Sequence, residues 1–149
     1  MIQLADLMFT FNKGSLISEA IAYYTHAKIS HVQCIIDIGA SGTLQVMSAD
    51  ENGLQPHWVN LDNYDWVCIL TCPDLTLKQR DGICSWMWNH KDTPYDYFGL
   101  ISFIVNVDLH NEVKVFCSES VFEAYRRGGD YLLLDGIDHA YLSPRDLWG

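Results

Sequence analysis

The sequence predicts an α+β fold in which an antiparallel sheet packs against helices. Three observations carry this. The β-prone runs cluster in the first half of the chain, helical periodicity stands before and after them and does not alternate with them, and short turn signals separate the runs. At 149 residues, 49% of them hydrophobic, the chain fits one domain with a real core, and no repeat or Gly/Ser-rich linker divides it. We therefore expect a single domain over 1–149.

The elements follow in order. Leu4–Phe11 is a short apolar, β-prone stretch broken by Gly14 and Ser15. Ser15 is a candidate helix N-cap, with Leu16, Ile17, Ala20, Ile21 and Tyr24 at helical spacing behind it. His31–Ile38 reads as a strong strand, Ala40–Gly42 as a turn and Thr43–Ala49 as its hairpin partner. After the turn at Asp50–Gly53 come strands at Gln55–Leu61 and Asp65–Cys72. Thr76 and Gln79 have capping-box spacing, opening a helix that should direct Ile83, Trp86, Met87 and His90 to the core. Pro94 ends that region, and Tyr97–Asp108 is ambiguous between helix and strand. Phe116–Arg127 is helical by periodicity, stopped by Gly128–Gly129.

Composition excludes several functions. The formal net charge is −10 with only nine basic residues, so there is no cationic surface for nucleic acid. No apolar run reaches the length of a membrane span, and the first residues have neither a basic region nor a cleavage site of a signal peptide. A cytoplasmic location is expected on that ground, with release by lysis or a phage context as other routes. Five cysteines at irregular spacing argue against a disulfide framework and suit a reducing compartment. Cys34, Cys68 and Cys84 read as buried thiols. Cys68 and Cys72 lack a second ligand pair at zinc spacing, and no other His pairs with a partner, so no metal is expected.

Chemistry concentrates at two places. Cys117 begins the last helix, where unpaired backbone N–H groups and the positive dipole end favour thiolate over thiol. The same N–H groups can hold an oxyanion. His31 opens a strongly core-like strand, which suits an imidazole facing a cleft. Each residue alone also has a plain structural reading, as a buried thiol or a strand-end histidine.

The order of short motifs resembles the permuted branch of the NlpC-type, papain-like cysteine hydrolases, and within it the YiiX/YebB-like group related to lecithin:retinol acyltransferase-like enzymes. The matching segments are ADLMF, GSLISEAIAYYTHAKISHVQ, LQVMSAD, GLQPHWVNLDNY, PYDYFGL, FCSESVFEAY and SPRDL, which together span nearly the whole chain. The resemblance implies a circularly permuted papain-like fold with Cys117 as nucleophile and His31 as base. It also implies a third polar residue that orients the histidine from the following strand. Ser48 holds the matching position, where relatives often carry a carboxylate, with Gln45 and Asp50 as local alternatives. A serine there implies a working Cys–His pair or reduced activity. Tyr95 and Tyr97 are candidates to line the cleft.

The implied function is a thiol hydrolase that cleaves an amide, with a cell-wall peptide as the family's substrate class, without metal or organic cofactor. The alternatives are lipid ester or amide hydrolysis or acyl transfer, and a catalytically weak binding module of the same fold. The expected partners are a small peptide, a peptidoglycan fragment or an acyl substrate.

Overall fold

A computed structural model describes residues 1–14, 19, 29–50, 52–93 and 116–133, with the side chains of 50 and 116–119 excepted. The predicted helix after Ser15, the Pro94–Asp108 region and the SPRDL segment lie outside the described residues. The strands are β1 (Leu7–Phe11), β2 (His31–Ile38), β3 (Leu44–Asp50), β4 (Gly53–Val59) and β5 (Trp66–Leu70). They form one five-stranded sheet in the order β4-β3-β2-β1-β5, with every neighbouring pair antiparallel. The α+β expectation therefore holds, and each predicted strand is present within a few residues of its expected limits.

Side-chain alternation divides the sheet into two apolar faces. Leu7, Phe9, Val32, Cys34, Ile36 and Met47 belong to one buried cluster, which the helices complete with Ile83, Met87, Val121, Ala124 and Tyr125. Met8, Ile35, Leu44 and Val46 form a second. Its partly buried neighbours include Val59 from β4 and Val67 and Ile69 from β5, with Leu61 and Tyr64 from the segment between those edge strands. The sheet thus curls around this second cluster. Burial on both faces is why HVQCII lacks strict polar–apolar alternation.

Helix α1 (Leu77–Asn89) starts at the predicted capping box: Thr76 Oγ1 accepts from the Gln79 N–H at 3.3 Å, and the Thr76 N–H donates to Gln79 Oε1 at 3.0 Å. Ile83 and Met87 are fully buried. His90 differs from the expectation. It sits at the C-terminal cap, its ring stacked on Trp86 at 3.8 Å and its Nδ1 2.8 Å from the Trp86 carbonyl oxygen. The orphan carbonyls of a helix end favour a polar residue there over a core role. Cys68 also departs from expectation, being only half-buried.

Helix α2 (Phe116–Glu123) packs against β2 and β3 and gives way to a widened turn at Ala124–Gly128. The widening accompanies a close crossing with α1. A Cβ on Gly82 would stand 2.1 Å from the Gly128 carbonyl oxygen, so only two glycines permit this approach.

A buried polar latch ties the chain's start to these helices. Asp6 and Arg80 pair at 3.0 Å, and Arg80 also donates to the carbonyls of Leu4 (2.6 Å) and Cys72 (2.7 Å). The other Asp6 oxygen accepts from the Gln3 N–H and the Thr71 hydroxyl, each at 2.8 Å. Ala5, in the left-handed region at φ 61°, accepts the Tyr125 hydroxyl at its carbonyl. Glycine adopts that conformation readily, and a non-glycine residue there is strained.

Candidate functional site

The site is built around the first residue of β2. Ser30, just before it, is buried and holds the strand start to β1 twice: its N–H and its hydroxyl both donate to the Thr10 carbonyl, at 3.1 and 3.3 Å. Thr10 is the register partner of His31. With the backbone fixed on both sides of it, the half-buried imidazole points into a defined environment.

Ser48 on β3 is buried, and its Oγ lies 2.7 Å from His31 Nε2. These are the base and the orienter proposed from sequence, and the fold brings them into hydrogen-bonding contact. Gln45 alternates with Leu44 and Val46 and so lies on the opposite face from Ser48. Asp50 is the last residue of β3, with its backbone paired to Gly53. Its side chain lies outside the described residues. Ser48 engages Nε2, so Nδ1 is the ring nitrogen that Ser48 leaves to other chemistry.

Cys117 is the second residue of α2, as expected for a helix-start thiol. Its side chain lies outside the described residues, as do Tyr95 and Tyr97. What the backbone provides is a helix start carried by an element packed on β2, the strand that His31 opens.

Three of the other thiols, Cys34, Cys72 and Cys84, are poor nucleophiles. Burial pushes the Cys34 thiol well above its ordinary pKa, and the neighbouring Cys84 adds to the effect. Burial also pushes Cys84 up to about 11. Cys72 is raised by burial too, against the opposing pull of the Tyr125 hydroxyl and the Arg80 charge.

The sequence reading passed over Gln33. It is a single polar side chain within VQCII, buried at 5% exposure, and its Oε1 has no hydrogen-bond partner among the described residues. A lone amide in an otherwise apolar run is the signal that could have found it. Among the described residues no three His, Cys, Asp or Glu side chains gather in a way that could hold a metal ion. No helix among them is long and apolar enough to cross a membrane.

No family model matches the chain, and no curated protein does. Among solved structures, the chain is similar to the metalloprotein YiiX from Escherichia coli O157:H7 (DUF1105). The match is 20% identical, covers 88% of this chain and 68% of that one, and has a TM-score of 0.59. A likeness at this identity shows a shared YiiX-like fold.

Proposed function

We propose that the protein is a cysteine hydrolase of the permuted papain-like type, acting on an amide by acyl transfer through Cys117 and His31. The observation that carries this reading is the 2.7 Å contact between His31 Nε2 and Ser48 Oγ. It orients the imidazole, and in this reading Nδ1 serves as the base. The position of Cys117 at a helix start, where backbone N–H groups favour a thiolate, supports it further.

In this mechanism the Cys117 proton moves to His31 Nδ1, and the thiolate attacks the acyl carbonyl carbon. The new C–S bond forms as the carbonyl electrons move onto oxygen, which backbone N–H groups at the helix start stabilise. Collapse expels the amine, which takes the proton back from His31. Water then attacks the thioester, with His31 as base again, releasing the acid and the free thiol.

Limited iodoacetamide labelling near neutral pH, mapped by mass spectrometry, tests the reading. Cys117 should label first. Cys34 and Cys84 should stay silent until the protein is unfolded: burial holds Cys34 well above its ordinary pKa, and Cys84, pushed up to about 11, is only about one part in ten thousand thiolate at pH 7. His31→Ala should slow Cys117 labelling by at least about tenfold, because the thiolate loses the imidazolium that stabilises it. Cys117 labelling no faster than a free thiol, and indifferent to His31→Ala, would refute the proposal. Peptide and lipid amides offered side by side to the reactive protein then separate the two substrate classes.

A further inference from the structure

Gln33 is the buried polar group that the mechanism above leaves unused. Its Oε1 has no partner, and such an atom is costly where an apolar side chain would pack freely. Its place on the sheet is specific. Strand alternation puts it on the face of His31, two residues along β2. Cys34 is the register partner of Met47, and one further step along the antiparallel pair sets Gln33 opposite Ser48. Facing Cβ atoms in such a pair stand about 4.5–5.5 Å apart, within reach of a long amide and a rotating hydroxyl.

A proton count shows what this neighbour is for. To accept a proton from Cys117 at Nδ1, a neutral His31 must carry its one proton on Nε2. Nε2–H then donates to Ser48 Oγ, the atom 2.7 Å away. The Ser48 hydroxyl keeps a proton of its own, which cannot also point at Nε2. A carboxylate in this place would have no such proton to dispose of. Ser48 has no second hydrogen bond among the described residues, whereas Gln33 holds an unmet acceptor on the same face.

We propose that a turn of the Gln33 side chain, whose Oε1 does not meet Ser48 in this structure, lets Oε1 accept the Ser48 hydroxyl proton, so that Gln33, Ser48 and His31 form a directional relay that keeps the His31 proton on Nε2. Gln33 is thus a positioning residue that acts through Ser48. The polarity persists when His31 becomes imidazolium, because Nε2–H still donates to Oγ and Oγ still donates to Oε1. This inference rests on the hydrolase reading only for its consequence on Cys117; the tautomer itself is a property of the three residues.

Ring-nitrogen NMR of His31, at a pH where the imidazole is neutral, reads the tautomer directly. It is paired with the Cys117 alkylation rate and the melting temperature. The unsubstituted protein should hold the Nε2–H form. Gln33→Leu should shift the ring towards Nδ1–H and slow alkylation about tenfold. It should leave the melting temperature unchanged or higher, since an unmet buried amide has been removed. Gln33→Glu should restore both the tautomer and the rate, and Gln33→Met should repeat the leucine result if that variant folds poorly. A Gln33→Leu protein with the original tautomer would overturn the relay, and so would a rate loss that follows a fallen melting temperature with no change of tautomer. If the tautomer follows Gln33 while Cys117 labelling ignores His31, the relay stands and the hydrolase reading falls.

Discussion

Replacing Asp6 with Asn tests whether the buried latch holds the fold together. Asp6 is fully buried and Arg80 is 3% exposed, so water cannot take over either charge. All the described partners of the Asp6 carboxylate are donors: Arg80 Nη1, the Gln3 N–H and the Thr71 hydroxyl. An asparagine amide must therefore turn its NH2 against a donor in either orientation, and the guanidinium loses its counter-charge. Breaking a buried pair on one side costs ~3–5 kcal/mol. For a domain of this size that is a fall in melting temperature of about 10–15 °C. Urea unfolding followed by circular dichroism should show a lower midpoint at unchanged slope. Arg80→Met in the Asp6→Asn background should recover part of the loss, because it removes the stranded cation. A cost below about 1 kcal/mol for Asp6→Asn, or a double variant no better than the single one, would show that the latch is not a coupled buried pair.

Two further outcomes follow from the helices. Gly82→Ala should destabilise by more than about 2 kcal/mol although alanine is the better helix former by ~1 kcal/mol, because the added Cβ meets the Gly128 carbonyl at 2.1 Å; a thermal melt showing a gain instead would mean the crossing yields freely. Burial works to raise the Glu123 carboxyl, but hydrogen bonds and charge from Arg126 and Arg127 outweigh it and hold the group below its ordinary value of 4.5. A depressed carboxyl adds stability above the unfolded-state value, and that contribution is lost as pH falls through the lower folded-state value. Glu123→Gln should therefore flatten the dependence of melting temperature on pH below about 4.5, and parallel curves for the two proteins would refute the assignment.

Much of the sheet was legible because its signals are local. His31–Ile38 was found at its observed limits, since a run of β-branched and apolar residues bounded by a polar start and a Gly turn has few other readings. The capping box at Thr76 is likewise a three-residue signal and appeared as expected. His90 was misread because helical spacing marks a face but not the helix end, where a carbonyl needs a donor. The Asp6–Arg80 pair was invisible: its members are 74 residues apart, and neither has a local signature. At the site, strand parity already separated Ser48 from Gln45, and the His31 contact agrees with that choice. Gln33 was passed over because polarity within an apolar strand was weighed as noise. Its meaning depends on register with β3, which no single segment encodes.

The latch and the site sit at opposite ends of the same strands, and this bears on how a helix-start thiol could meet a strand-start histidine. Tyr125 ties the end of the α2 segment to the Ala5 carbonyl, just before β1. Thr10, five residues further along, is the register partner of His31, at a rise of about 16 Å. From Tyr125 back to Cys117 is eight residues, or about 12 Å of helix. Measured along the strand, a helix anchored at Ala5 and running back alongside β2 therefore brings its first turn level with the His31 row to within about one turn, while alternation sets the His31 side chain on the other face of β2 from the helix. Moving the anchor by a single turn would carry the helix start about 5 Å along the sheet, more than a proton transfer tolerates. On the proposed reading, this gives the Tyr125 hydroxyl, far from the reacting atoms, a geometric role. It sets the axial position of the helix, while Ser30 and Thr10 set that of the strand, and the Cys–His pair depends on both.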